Sequence, residues 1–146
     1  MKKATLTFLK LAVAAAIAVG ASGGPASAQS LVKGTFTLPY EVRWGHAVLP
    51  AGHYSITIDE ARRPALVKTL GGEGRAFVMA QAVGDAMKDQ PSALIITNVE
   101  NQRVVRTFNW REGNQSFVYQ PLTKAERREL ARTSAVETVP ILMAQK

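Results

Sequence analysis

The chain has 146 residues, 47% of them apolar, with 18 Lys+Arg against 11 Asp+Glu for a net charge of +7. That apolar fraction excludes a disordered or collagen-like chain. The absence of cysteine excludes a disulfide scaffold, a thiolate zinc site, a cysteine nucleophile and a thiol-anchored lipoprotein.

The N-terminus reads as an export leader. Lys2 and Lys3 precede the apolar run LAVAAAIAV (Leu11–Val19), then the breakers Gly23, Gly24 and Pro25 and the small-residue site Ala26-Ser27-Ala28. The unbroken apolar run is far shorter than the ~20 residues a membrane-spanning helix needs. Cleavage is expected between Ala28 and Gln29, which places the protein in the periplasm or outside the cell. The mature chain of 118 residues then carries +4, because the leader holds three lysines and no acid. The expected organisation is a leader over 1–28, a β-domain over 29–122, and a C-terminal helix with an apolar tail over 123–146.

Two-residue alternation dominates the mature chain. Phe36, Leu38, Tyr40, Val42 and Trp44 alternate with polar residues, the pattern of a half-buried strand. Pro39 interrupts this run and is expected to split it. Leu49-Pro50-Ala51-Gly52 predicts a turn, followed by the alternation of Tyr54, Ile56 and Ile58. Further strand-like runs are Ala65–Leu70 and Arg75–Ala82, separated by the loop Gly71-Gly72-Glu73-Gly74. Val83–Pro91 reads as a long loop with room for one helical turn. Ser92–Val99, Gln102–Trp110 and Gln115–Gln120 follow, with hairpin turns expected at Glu100-Asn101 and Glu112-Gly113. Thr123 and Glu126 match a capping box, so a surface helix is expected at about Lys124–Arg132. The tail, Val139-Pro140-Ile141-Leu142-Met143, is apolar enough to dock on a core. The fold class expected is all-β: an antiparallel sandwich or small barrel of about 7–8 short strands with one late peripheral helix.

Reactive constellations are sparse. The two histidines, His46 and His53, flank the Pro50 turn; a hairpin there would let them face each other, and exposed hairpin histidines are expected. Zinc normally takes three or four protein ligands, and only Glu41, Asp59 and Glu60 lie near them in sequence, so no metal or other cofactor is expected. No serine has a G-x-S-x-G context. Gly71-Gly72-Glu73-Gly74-Arg75 lacks the G-K-[ST] ending and following helix of a phosphate loop. Asn114-Gln115-Ser116 fits the glycosylation triplet but falls in a tight hairpin. Arg103, Arg111 and the helix bases Arg127, Arg128 and Arg132 would make a basic patch if they converged. Glu112, Glu126 and Glu129 interleave with them, so a mixed solvated surface is expected and nucleic acid is not a predicted partner.

Phe36–Ile56, FTLPYEVRWGHAVLPAGHYSI, resembles the opening motif F-x-x-P-x-x-V-x-x-G-x-x-x-L-P-A-G-x-Y of small uncharacterised secreted bacterial proteins of the acidobacterial type. The resemblance implies an exported all-β domain and supplies no catalytic residues. The L-P-A-G-x-Y fragment also resembles turns of transthyretin-like and carboxypeptidase-regulatory-like sandwiches, which implies the same architecture.

Three functional expectations follow. The leading one is an exported, non-enzymatic binding or envelope-associated structural module with a partner in the envelope or outside it. The second is a carrier of a small apolar ligand, which requires an aromatic-lined pocket of ~300 Å³ or more. The third is a hydrolase using His46 or His53, which requires an imidazole to meet a carboxylate.

Overall fold

The computed structural model describes residues 31–59, 65–133 and 135–144; the predicted leader and the Ala28–Gln29 cleavage point lie outside the described residues. Strand β1 (Leu31–Leu38) buries Val32, Phe36 and Leu38 while Lys33, Thr35 and Thr37 face out. Pro39 ends it, and the chain resumes as β2 (Val42–Trp44) and β3 (Ala47–Leu49). The two halves of the first alternating run join opposite sheets, so Phe36 and Leu38 meet Val42 and Trp44 across the core.

Strands β4 (Gly52–Asp59), β5 (Ala65–Thr69) and β6 (Arg75–Val78) form an antiparallel meander beside β1. Strand β7 (Ala82–Asp85) leads to the hairpin of β8 (Ala93–Val99) and β9 (Gln102–Trp110), then to β10 (Gln115–Val118). Glu100 and Asn101 both have positive φ, 52° and 62°, as the tightest hairpin turn requires. Helix α1 (Lys124–Thr133) and the short strands β11 (Val136–Pro140) and β12 (Leu142–Met143) complete the chain.

The result is a two-sheet sandwich. One sheet has the order β12-β1-β4-β5-β6; the other runs β11-β8-β9-β10-β7, with β2 beside β9 and β3 beside β2, and neither closes into a barrel. One pairing departs from the antiparallel expectation: β2 meets β9 in parallel at Arg43 and Val104. The twelve strands among the described residues outnumber those expected because the long runs break where the chain changes sheets.

The predicted loop Val83–Pro91 is the clearest such case. The run from Arg75 stops after Val78, and the Gln81 amide donates to the Val118 carbonyl at 2.7 Å. That bond aligns the next four residues along β10 as an edge strand, which leaves only 86–91 as loop.

The outer face of the seven-stranded sheet carries α1. Thr123 Oγ1 accepts from the Glu126 amide and Glu126 Oε2 accepts from the Thr123 amide, which completes the expected capping box. In the β8–β9 hairpin, Ile95 pairs with Thr107 and Ile96 with Val105, so Arg106 is the extra residue of a β-bulge. Its side chain reaches Thr97 Oγ1 at 2.7 Å and Glu126 Oε1 at 2.8 Å, and is buried. The tail docks. Val139 enters the core from β11, Ile141 is buried, and β12 pairs with β1, so this short segment contributes to both sheets.

Candidate functional site

The sandwich has two unlike ends. At the end where β9 begins, Tyr40 from the β1–β2 connection lies under the Arg103 guanidinium, 4.1 Å from ring centroid to Cζ. Glu137 accepts a hydrogen bond from the Tyr40 hydroxyl and stands 3.6 Å from Arg103 Nε. Burial first, and the Glu137 carboxylate second, push the Tyr40 phenol up to about 12, against the opposing pull of Arg103. The trio sets a neutral phenol beside two charges.

At the other end, where β1 begins and β9 finishes, a cleft of about 520 Å³ opens between the sheets. Its size lies in the usual range for small-molecule sites. Val32, Ile58, Ala65 and Val78 supply an apolar floor, all of them buried. Trp110, Phe117 and Tyr119 add three aromatic rings, and Asp59, Gln81 and Gln115 add polar groups. Among the described residues of the lining, Asp59 carries the single formal charge.

The rings are held from behind. Tyr119 meets Trp44 edge-on at 5.1 Å, Trp44 contacts Phe36 at 6.0 Å, and Phe36 stacks on Tyr54 at 5.6 Å. This aromatic column ties the cleft to the centre of the core. Burial raises the Tyr119 phenol well above its ordinary value, so it stays neutral. Phe117 stacks on Phe108 at 5.8 Å, and Phe108 is fully buried. Trp110 is backed by Gly113: a β-carbon at 113 would collide with indole carbons Cε3, Cζ3 and Cδ2.

The residues singled out from sequence are arranged differently. His46 and His53 do not face each other. The Pro50 turn carries the chain from one sheet to the other, so β3 and β4 are not paired and the two rings face solvent on separate sheets. His53 Nδ1 lies 2.9 Å from Thr37 Oγ1, its neighbour on β1. Asp59 lies in the cleft, six residues further along β4, and Glu60 falls outside the described residues. Among the described residues no group of three His, Asp or Glu side chains could hold a metal ion. The Gly71–Gly74 segment is the β5–β6 hairpin loop, closed by the Thr69 amide donating to the Gly74 carbonyl at 2.9 Å.

Arg103 and Arg111 do not converge either. They flank opposite ends of β9, and Arg106 is buried beneath α1. Two buried polar residues had no sequence signal. Asn109 Oδ1 accepts from the Met87 amide at 2.8 Å, while its Nδ2 donates to the carbonyls of Met87, Gln90 and Pro91. Ser92 Oγ donates to Glu112 Oε2 and accepts from the Arg111 amide at 2.9 Å. Both pin the 86–92 connection to the end of β9. No helix among the described residues is long and apolar enough to cross a membrane.

Comparison with known proteins finds no matching family model, no matching curated protein and no matching solved structure.

Proposed function

We propose that the protein is an exported, non-enzymatic binding module that carries a small, largely apolar ligand in the cleft between its sheets. The observation that carries this reading is the 520 Å³ cleft with three aromatic rings on an apolar floor. Such a site offers burial of apolar surface, at roughly 25 cal/mol per Å², with a few polar groups to orient the ligand.

Two further observations favour binding over catalysis. The histidines stand apart from each other and from the cleft, and the buried Ser92 is paired with a carboxylate rather than with an imidazole base. Export rests on the leader motif over residues 1–28.

The test is native mass spectrometry of the protein recovered from the envelope and medium of the producing cell. A bound small molecule, lost on replacing Trp110 by Ala, is the expected result. Protein that is ligand-free from both sources, together with hydrolysis of an ester, glycoside or peptide panel that depends on a single side chain, would overturn the reading. The mass of the recovered chain also reports whether cleavage follows Ala28.

A further inference from the structure

We propose that the outer face of the five-stranded sheet docks on an anionic phospholipid bilayer and recognises its phosphodiester headgroups. This surface is independent of what the cleft holds.

The face is assembled by the pairing register. Directly opposite residues of antiparallel strands share one face. One row across the sheet reads Leu142, Thr35, Ser55, Lys68 and Arg75, on β12, β1, β4, β5 and β6. The next row runs from Lys33 through Thr57 and Leu66 to Phe77. Lys33, Lys68, Arg75 and Phe77 are exposed while Val32, Val67 and Val78, their neighbours in the chain, are buried. Both rows therefore look outward. Five strands at ~4.8 Å spacing give a surface about 19 Å wide, broader than any single phosphate group.

Its charge is one-sided. Lys33, Lys68 and Arg75 have no ion-pair partner among the described residues. The one acid on the described strands of this sheet is Asp59, at the end of β4, which already has a partner; Glu73 lies in the β5–β6 loop. Lys68 stands directly opposite Arg75, an arrangement that weakens a sheet on its own. A phosphodiester between the two turns that repulsion into two charge-assisted contacts.

The apolar residues select a bilayer over a soluble polyanion. Leu142 at 76%, Met79 at 70% and Phe77 at 66% are the most exposed large hydrophobics of the described residues, and they sit on or just past the two border strands of this sheet. A soluble polyanion would leave them in water. A bilayer takes them below its headgroups while the bases stay at phosphate level.

The test is vesicle flotation of the protein recovered from the producing cell, with phosphatidylcholine alone or mixed equally with phosphatidylglycerol. Mixed vesicles are expected to bind at least about tenfold more tightly. Lys68→Gln combined with Arg75→Gln should weaken that binding about 25-fold, at roughly fivefold per base. Arg127→Gln combined with Arg128→Gln removes the same charge from exposed positions on α1 and should change it less than about threefold. Both double variants keep the same N-terminus, so any leader left on the chain cancels between them. Phe77→Ser should weaken vesicle binding about tenfold and leave binding to dextran sulfate unchanged. Equal binding to the two kinds of vesicle, or equal losses in the two double variants, would overturn the proposal. Vesicle binding that survives Phe77→Ser while dextran sulfate binds more tightly than vesicles would assign the face to a soluble polyanion and overturn the bilayer. The wild-type ranking needs no variant, so it decides the matter even where a variant fails to fold.

Discussion

Arg106 Nη2 and the Thr123 amide share one carboxylate: Glu126 accepts the first at Oε1 and the second at Oε2, each at 2.8 Å. A single side chain thus starts helix α1 and neutralises a buried guanidinium in the β9 bulge. Removing it leaves Arg106 buried with its Nη1 already unpartnered. Glu126→Ala is expected to cost about 3 kcal/mol, the range for breaking a buried ion pair plus a helix cap. Glu126→Gln, which keeps an acceptor, should cost less. Urea unfolding of the two variants measures both.

The same carboxyl gives an acid limit. The backbone amide of Thr123 first, and then the Arg106 hydrogen bond, hold Glu126 below the ordinary glutamate range. A group depressed in the folded state contributes stability that is complete above its unfolded value of about 4.3. That contribution is lost as pH falls through the lower folded value. Unfolding free energy should therefore decline more steeply below pH ~4 in the wild type than in Glu126→Gln.

At Tyr40 the sign reverses. The Tyr40 phenol, held at about 12, is neutral where an unfolded tyrosine would ionise near 10. Its contribution is complete below pH ~10 and disappears as pH rises through the folded value. Alkaline titration followed by tyrosinate absorbance should show Tyr40 among the late-ionising phenols. Tyr40→Phe should flatten the stability loss across that window.

Gly113→Ala is expected to destabilise by about 1–3 kcal/mol, the cost of overpacking against a ring that cannot move freely. Because Trp110 is one of only two tryptophans, and Trp44 is fully buried, the displaced indole should shift the fluorescence spectrum. An unchanged spectrum and unchanged stability would show that the ring is free to swing.

Asn109→Ala removes the acceptor for the Met87 amide and the donor to three carbonyls in the 86–91 loop. A loss of about 2–3 kcal/mol is expected, since buried backbone groups lose their partners. Hydrogen exchange locates it: the Met87 amide should lose protection while the β1–β4 ladder keeps its own.

The sheets were legible in the sequence because one face of each is buried and the period is two. Phe36 and Leu38, Ile56 and Ile58, and Leu94 and Ile96 all point inward as alternation requires. The helix was legible from Thr123 and Glu126, whose spacing matches a local reciprocal bond. Sheet membership was not legible. Alternation does not say where a run such as Arg75–Ala82 leaves one sheet for the other, and the His46–His53 hairpin expectation failed for that reason. The cleft was hidden because it joins Val32, Ile58, Val78 and Trp110, which share no sequence window. The burial of Arg106 has no mark in the sequence, since a bulge leaves no residue signature and only the pairing register reveals it.

Residues 136–143 place β11 at the border of one sheet and β12 at the border of the other, with Ile141 buried between them. One short segment therefore laces the two layers together, and a change that frees it would strip a border strand from both at once.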